Sequence, residues 1–88
     1  MLSSDHPRCR VCGLAQLEPP WGDDGRSPSF EYCDCCGAEF GYQDGNVTAA
    51  RRHRAWWLER GAVWFTPSER PPRWDLEAQL AQIPPDFL

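Results

Sequence analysis

The chain contains no lysine, so all nine of its cationic side chains are arginine. Thirteen Asp and Glu leave a formal charge of −4 at pH 7. That balance argues against a nucleic-acid-binding domain, whose phosphate contacts call for a basic surface. There is a single methionine and no long apolar run, so no segment is expected to span a bilayer. No positively charged start leads into an apolar stretch of the signal-peptide kind. A reducing, cytoplasmic compartment is the resulting expectation. With 88 residues the chain has room for one small domain, and such domains rarely stabilise themselves by core burial alone.

What the sequence does have is five cysteines, five tryptophans and nine prolines. Four of the cysteines fall into two knuckles, Cys9-Arg10-Val11-Cys12-Gly13 and Cys33-Asp34-Cys35-Cys36-Gly37. Each knuckle places two thiolates on a tight turn, and the glycine after it supplies the positive φ that such a turn needs. Two CxxC pairs brought together make a four-sulfur tetrahedron of the kind a structural zinc fills. The ligand set is therefore Cys9, Cys12, Cys33 and Cys36. Cys33 pairs with Cys36 rather than Cys35 because only that choice reproduces the CxxCG form of the first knuckle. The competing interpretations are buried apolar cysteines or a redox pair. A zinc held by four protein sulfurs leaves no position for an activated water, so it holds a fold and performs no hydrolysis. Iron suits the same sulfurs, and the two loops resemble those of rubredoxins, which carry one electron on a four-thiolate iron. Cys35 is left over, either as a sensor thiol activated by a nearby cation or as a spectator beside the cage.

Residues 1–8 have no periodic apolar pattern and are expected to be a flexible amino-terminal segment, with residues 9–88 forming the domain. Leu14 to Leu17 suggests a short strand, and the Pro-, Gly- and Asp-rich stretch from Glu18 to Pro28 reads as a loop. Phe30 to Cys33 and Ala38 to Tyr42 alternate apolar and polar residues, which predicts a hairpin with the second knuckle as its turn. Asn46 or Thr48 can cap a helix running through Ala49 to Arg60, closed by Gly61. Ala50, Trp57 and Leu58 are placed on its inward face. Ala62 to Phe65 is either extended or a last packed turn, and Thr66 to Arg73 is an irregular arm. Asp75 caps a second short helix, Leu76 to Gln82, ended by Pro84-Pro85. The architecture expected is a small α+β zinc ribbon: two knuckles, short antiparallel strands, one main helix and a carboxy-terminal arm with a short helix.

The segments Cys9 to Gly13, Leu17 to Pro20, Ser29 to Gly37, Glu39 to Asp44, Arg54 to Ala62, Trp64-Phe65 and Trp74 to Leu76 together resemble bacterial proteins named for a cysteine-rich CPCC motif. Asp34 stands where that name has proline, which removes a conformational restraint but no ligand. The resemblance implies a small zinc-ribbon-like protein without an assigned activity. Some proteins of this kind look like companions of secreted toxins, which suggests an immunity protein.

Other constellations have less to support them. Arg51-Arg52-His53-Arg54 followed by Trp56-Trp57 has the residue types of a nucleic-acid surface, but the overall acidity and the absence of lysine favour a solvated helix face with Trp57 in the core, and His53 is placed on the exposed side. Asp23, Asp24, Asp34, Glu39 and Asp44 form an acidic tendency with no nucleophile or cofactor loop beside it, which points away from an enzyme. Such charge serves solubility or steers a basic partner such as a nuclease toxin. Trp57 and Trp64 are assigned to the core, while Trp21, Trp56 and Trp74 are either interaction anchors or lids over the domain. The functional expectation is a non-enzymatic, zinc-bearing protein-interaction module with Trp21, Asp23, Asp24, Glu39, Asp44, Trp56 and Trp74 as its contact residues. The alternative is rubredoxin-like electron transfer.

Overall fold

In the computed structural model, which describes residues 7–88, the two CxxCG sequences fold into the same loop, residue for residue. Gly13 N–H donates to Cys9 C=O and Gly37 N–H to Cys33 C=O, while the Cys9 and Cys33 amides donate to Leu14 and Ala38. Gly13 and Gly37 sit at φ 87° and 77°, a conformation that costs an ordinary side chain about 1–2 kcal/mol. Flanking each loop is one antiparallel bridge, Arg8 with Ala15 and Tyr32 with Glu39. Residues 1–6 of the segment expected to fray lie outside the described residues. Pro7 and Arg8 belong to the first knuckle, since Pro7 C=O accepts from Gln16 N–H and the Arg8 guanidinium donates to Gly13 C=O.

The strands foreseen at 14–17, 30–33 and 38–42 do not extend beyond those two isolated bridges among the described residues. Backbone dihedrals explain the difference. Phe30 sits at φ 63° and Gly41 at φ 103°, outside the β region, so neither arm of the second loop can lengthen into a ladder. Leu17 and Glu18 bend away toward Pro19-Pro20, and proline cannot donate to a ladder. A regular ribbon is therefore not present. Two bridged knuckles stand in its place, beside one main helix.

Helix α1 spans Val47–Glu59. Of the two caps foreseen it is Asn46 that serves, its side-chain oxygen accepting from Ala49 N–H at 2.8 Å, while Thr48 lies within the helix; Gly61 follows at φ 88°. The inward face is not the one expected from apolar residues alone. Leu58 points outward, 38 % exposed. Ala50, His53, Arg54 and Trp57, at helical spacing i, i+3, i+4 and i+7, turn toward the knuckles. His53, expected on the solvent side, is half-buried and donates through Nε2 to Cys36 C=O at 2.9 Å. Arg54 donates to three carbonyls, those of Val11 (2.6 Å), Arg10 (3.0 Å) and Phe87 (2.6 Å). A polar stripe faces inward because turns carry unpaired carbonyls that must find donors once water is excluded.

After α1 the chain reverses through Gly61 and Ala62, both at positive φ (88° and 55°), and then runs along the second knuckle. Ala62 and Trp64 are buried while Val63 and Phe65 face out, and the Phe65 and Thr66 amides donate to the carbonyls of Cys35 and Asp34. The second knuckle thus receives from backbone what the first receives from Arg54. A 3-10 turn at Pro67–Glu69 interrupts the arm. Helix α2, Leu76–Leu80, follows with Asp75 as its cap, accepting from Ala78 N–H. A second 3-10 turn, Pro85–Phe87, packs near α1. Trp74, half-buried, packs against Trp57 and Trp64 with ring centroids 6.4 and 5.3 Å away, and so covers the core.

Because Arg54 serves three carbonyls at once, Arg54→Leu is expected to destabilise the fold by about 3 kcal/mol. Arg54→Lys recovers only part of that loss, since one ammonium cannot span the fork. Urea titrations followed by tryptophan fluorescence provide the measurement.

Candidate metal centre

Cys9, Cys12 and Cys33 are fully buried and Cys36 is 3 % exposed. Their four sulfurs lie within 4.8 Å of one another. Cys9 Sγ is 3.7 Å from Cys36 Sγ, and Cys12 Sγ is 3.6 Å from Cys33 Sγ. Both distances are far beyond a disulfide bond. They match the edge of a sulfur tetrahedron around one ion, about 3.8 Å for metal–sulfur bonds of about 2.3 Å. The closest pairs run between knuckles, so an ion at this point joins two loops that no sheet joins. The four residues have the donor type, number and spacing to hold a metal ion.

The surroundings orient these sulfurs. Val11 N–H lies 3.4 Å from Cys9 Sγ and the Gln16 amide 3.8 Å from Cys33 Sγ. Gln79 Nε2 of α2 donates to Cys12 C=O at 3.2 Å and to Cys35 Sγ at 3.3 Å, so one amide touches both knuckles. Its Oε1 accepts from Trp74 Nε1 at 2.7 Å. Gln79, His53 and Arg54 were not foreseen as site residues. Their signal was present in the helical spacing of α1 and in Gln79 following a capped start, but polar residues on an inward face look like surface residues until the carbonyls they serve are known. α2 also lies close: a Cβ on Gly13 would meet Gln79 O at 2.3 Å, so this glycine is required by contact as well as by φ.

Without an ion, burial pushes the Cys12 and Cys36 thiols well above the usual range, while hydrogen bonds from Cys12, Cys36 and Cys9 pull Cys33 below it. Cys12 and Cys36 therefore hold their protons until a cation replaces them. Raised thiol values mean that metal uptake releases protons and that apparent affinity falls as the pH is lowered. Proton release on titrating Zn²⁺ into the metal-free protein in weak buffer measures this directly.

Cys35 occupies the place in the second knuckle that Val11 holds in the first, and both are fully buried. It fills the space of a small side chain while its sulfur accepts from Gln79, and burial denies it the solvent access a sensor thiol needs. Cys35→Val is expected to keep metal stoichiometry and to change stability by less than about 1 kcal/mol. Cys33→Ser removes a ligand and should abolish cooperative unfolding. Metal analysis and thermal melts of the two variants make the comparison.

The residues foreseen as partner contacts do not form one patch. Asp44 is fully buried, accepting from Trp21 Nε1 at 2.9 Å and from Gly41 N–H at 2.7 Å. It is a buried anchor for the 18–29 loop, and its charge is not available to a partner. Trp21 is half-buried against Arg10, whose guanidinium lies 4.1 Å from the Trp21 ring and 4.4 Å from that of Phe87. Burial lowers the Arg10 pKa, with Asp44 opposing that shift. Asp23 and Asp24 are exposed, and Asp24 closes its own turn through Arg26 N–H and Ser27 Oγ. Glu39 is half-buried beside Tyr32, whose hydroxyl donates to it at 3.4 Å. Trp56 stays exposed on α1, with Arg60 4.6 Å above its ring and His53 beside it. Among the described residues no helix is long and apolar enough to cross a membrane. No family model, curated protein or solved structure matches the chain.

Proposed function

We propose that this chain is a non-enzymatic protein-interaction module locked by a structural Zn²⁺ on Cys9, Cys12, Cys33 and Cys36. The observation that carries this is the burial of all four sulfurs at tetrahedral spacing. Four protein thiolates complete the ion's coordination and leave no vertex for substrate. An ion so enclosed supplies folding free energy to a chain with little regular secondary structure. In this view the zinc replaces the sheet that a ribbon would have.

The interaction role rests on the surface. Phe30, Tyr32, Tyr42 and Phe65 are more than half exposed, and Tyr32 and Phe65 stack at 5.5 Å. Aromatic side chains displayed this way anchor protein contacts. The resemblance to CPCC proteins and to toxin companions agrees with such a role, which makes an immunity or antitoxin-like protein the specific form proposed. The basic stripe of α1 offers little to nucleic acid, because Arg54 and His53 are committed to knuckle carbonyls.

The second reading, a rubredoxin-like iron centre, uses the same sulfurs. Metal analysis of protein purified from its host separates the two. One zinc per colourless chain is expected, with loss of cooperative unfolding after chelation. A red protein with visible charge-transfer bands would replace the zinc proposal with electron transfer. For the interaction role, the whole chain is used as bait in host extract. Growth protection against the product of a neighbouring gene then tests the immunity form, and absence of both capture and protection removes it.

A further inference from the structure

The surface cleft of about 640 Å³ beside the knuckles is built from the 14–20 segment, the arm of the second knuckle and the 66–71 turn. Among the described residues the charges on its rim have one sign: Glu18, Glu31, Asp34 and Glu69 line it and no arginine or histidine does, although the chain has nine arginines. Its floor is apolar, with Pro19, Pro20, Phe40 and Trp64 contributing. At its edge Leu17 is fully exposed and Tyr32 is 52 % exposed. Trp64, which lines this cleft and also the smaller hollow beside Trp74, is 5 % exposed, and its buried Nε1–H has no acceptor among the described residues. An unpaired buried donor is unfavourable and rare in folded proteins.

We infer that this cleft binds an extended cationic segment of a protein partner, with arginine or lysine side chains on the carboxylate rim and apolar side chains on the proline–aromatic floor. This deepens the interaction role proposed above and rests on it. The rim and floor together select the chemistry. Carboxylates without internal cations favour an incoming positive charge and steer its approach. The floor gains only from apolar atoms removed from water. A free polyamine satisfies the rim alone, whereas a polypeptide brings both side-chain types.

Selection from a random hexapeptide display library against the zinc-loaded chain tests the inference. Sequences pairing Arg or Lys with apolar residues are expected to emerge. The selected peptide should shift the Trp64 indole N–H resonance and weaken as salt is raised. The double variant Glu31→Gln with Glu69→Gln should bind it about tenfold less tightly while keeping its metal content and unfolding midpoint. Neither carboxylate serves the fold, so the variant reports on the cleft alone. The proposal is overturned if no family of peptides emerges, if the winners lack cationic residues, if the double variant binds equally well, or if spermidine displaces the peptide at equal concentration. A host protein that binds wild type and double variant alike would leave the interaction role standing and remove the cleft from it.

Discussion

The approach of four buried sulfurs to within 4.8 Å of one another sets the two knuckles face to face. Left as thiols, the four would be a weakly polar cluster with little attraction. Around a cation they are a single rigid vertex shared by both loops. The rest of the domain has a complementary task. Turns expose carbonyls, and every carbonyl turned inward needs a donor. Arg54, His53, Gln79 and the amides of Phe65 and Thr66 supply them. The hydrophobic interior, centred on Trp57, Trp64 and Trp74, lies alongside these contacts and is coupled to them through Gln79.

The cysteine quartet and both helix caps were legible in the sequence, because metal-ligand spacing and capping chemistry are local patterns. Asn46 and Asp75 each accept from the amide three residues on, as such residues do at helix starts. The strands were not legible. Alternation at 30–33 and 38–42 is real, but a hairpin also requires permissible φ on both arms, and Phe30 departs from it for reasons that no composition rule encodes. Asp44 misled in another way. An acidic residue in a Gly-rich turn looks like surface, and the local Gly41 N–H together with Trp21, arriving from 23 residues away, makes its burial tolerable. Arg54 and His53 misled likewise, since charge was taken to mean solvent.

The two knuckles also show how one loop design is completed by different means. Each presents the carbonyls of its second and third residues to the domain. The first set meets a guanidinium, and the second meets an extended backbone. Likewise one knuckle buries Val11 and the other Cys35 at the same place. The repeated part is the backbone loop and its ligand pair, while the partners were free to diverge so long as the hydrogen-bond demand was met.

Gln79 touches Cys12 across 67 positions of chain, and that span bears on how the protein is made. During synthesis the second cysteine pair emerges soon after the first, so the ion can be captured early by a nascent chain whose cage is still open to water on the side α2 will cover. Only when α2 has left the ribosome does that side close. An ion held by the four sulfurs before that moment would lie open on one side to competing chelators, and the docking of α2 would end that exposure.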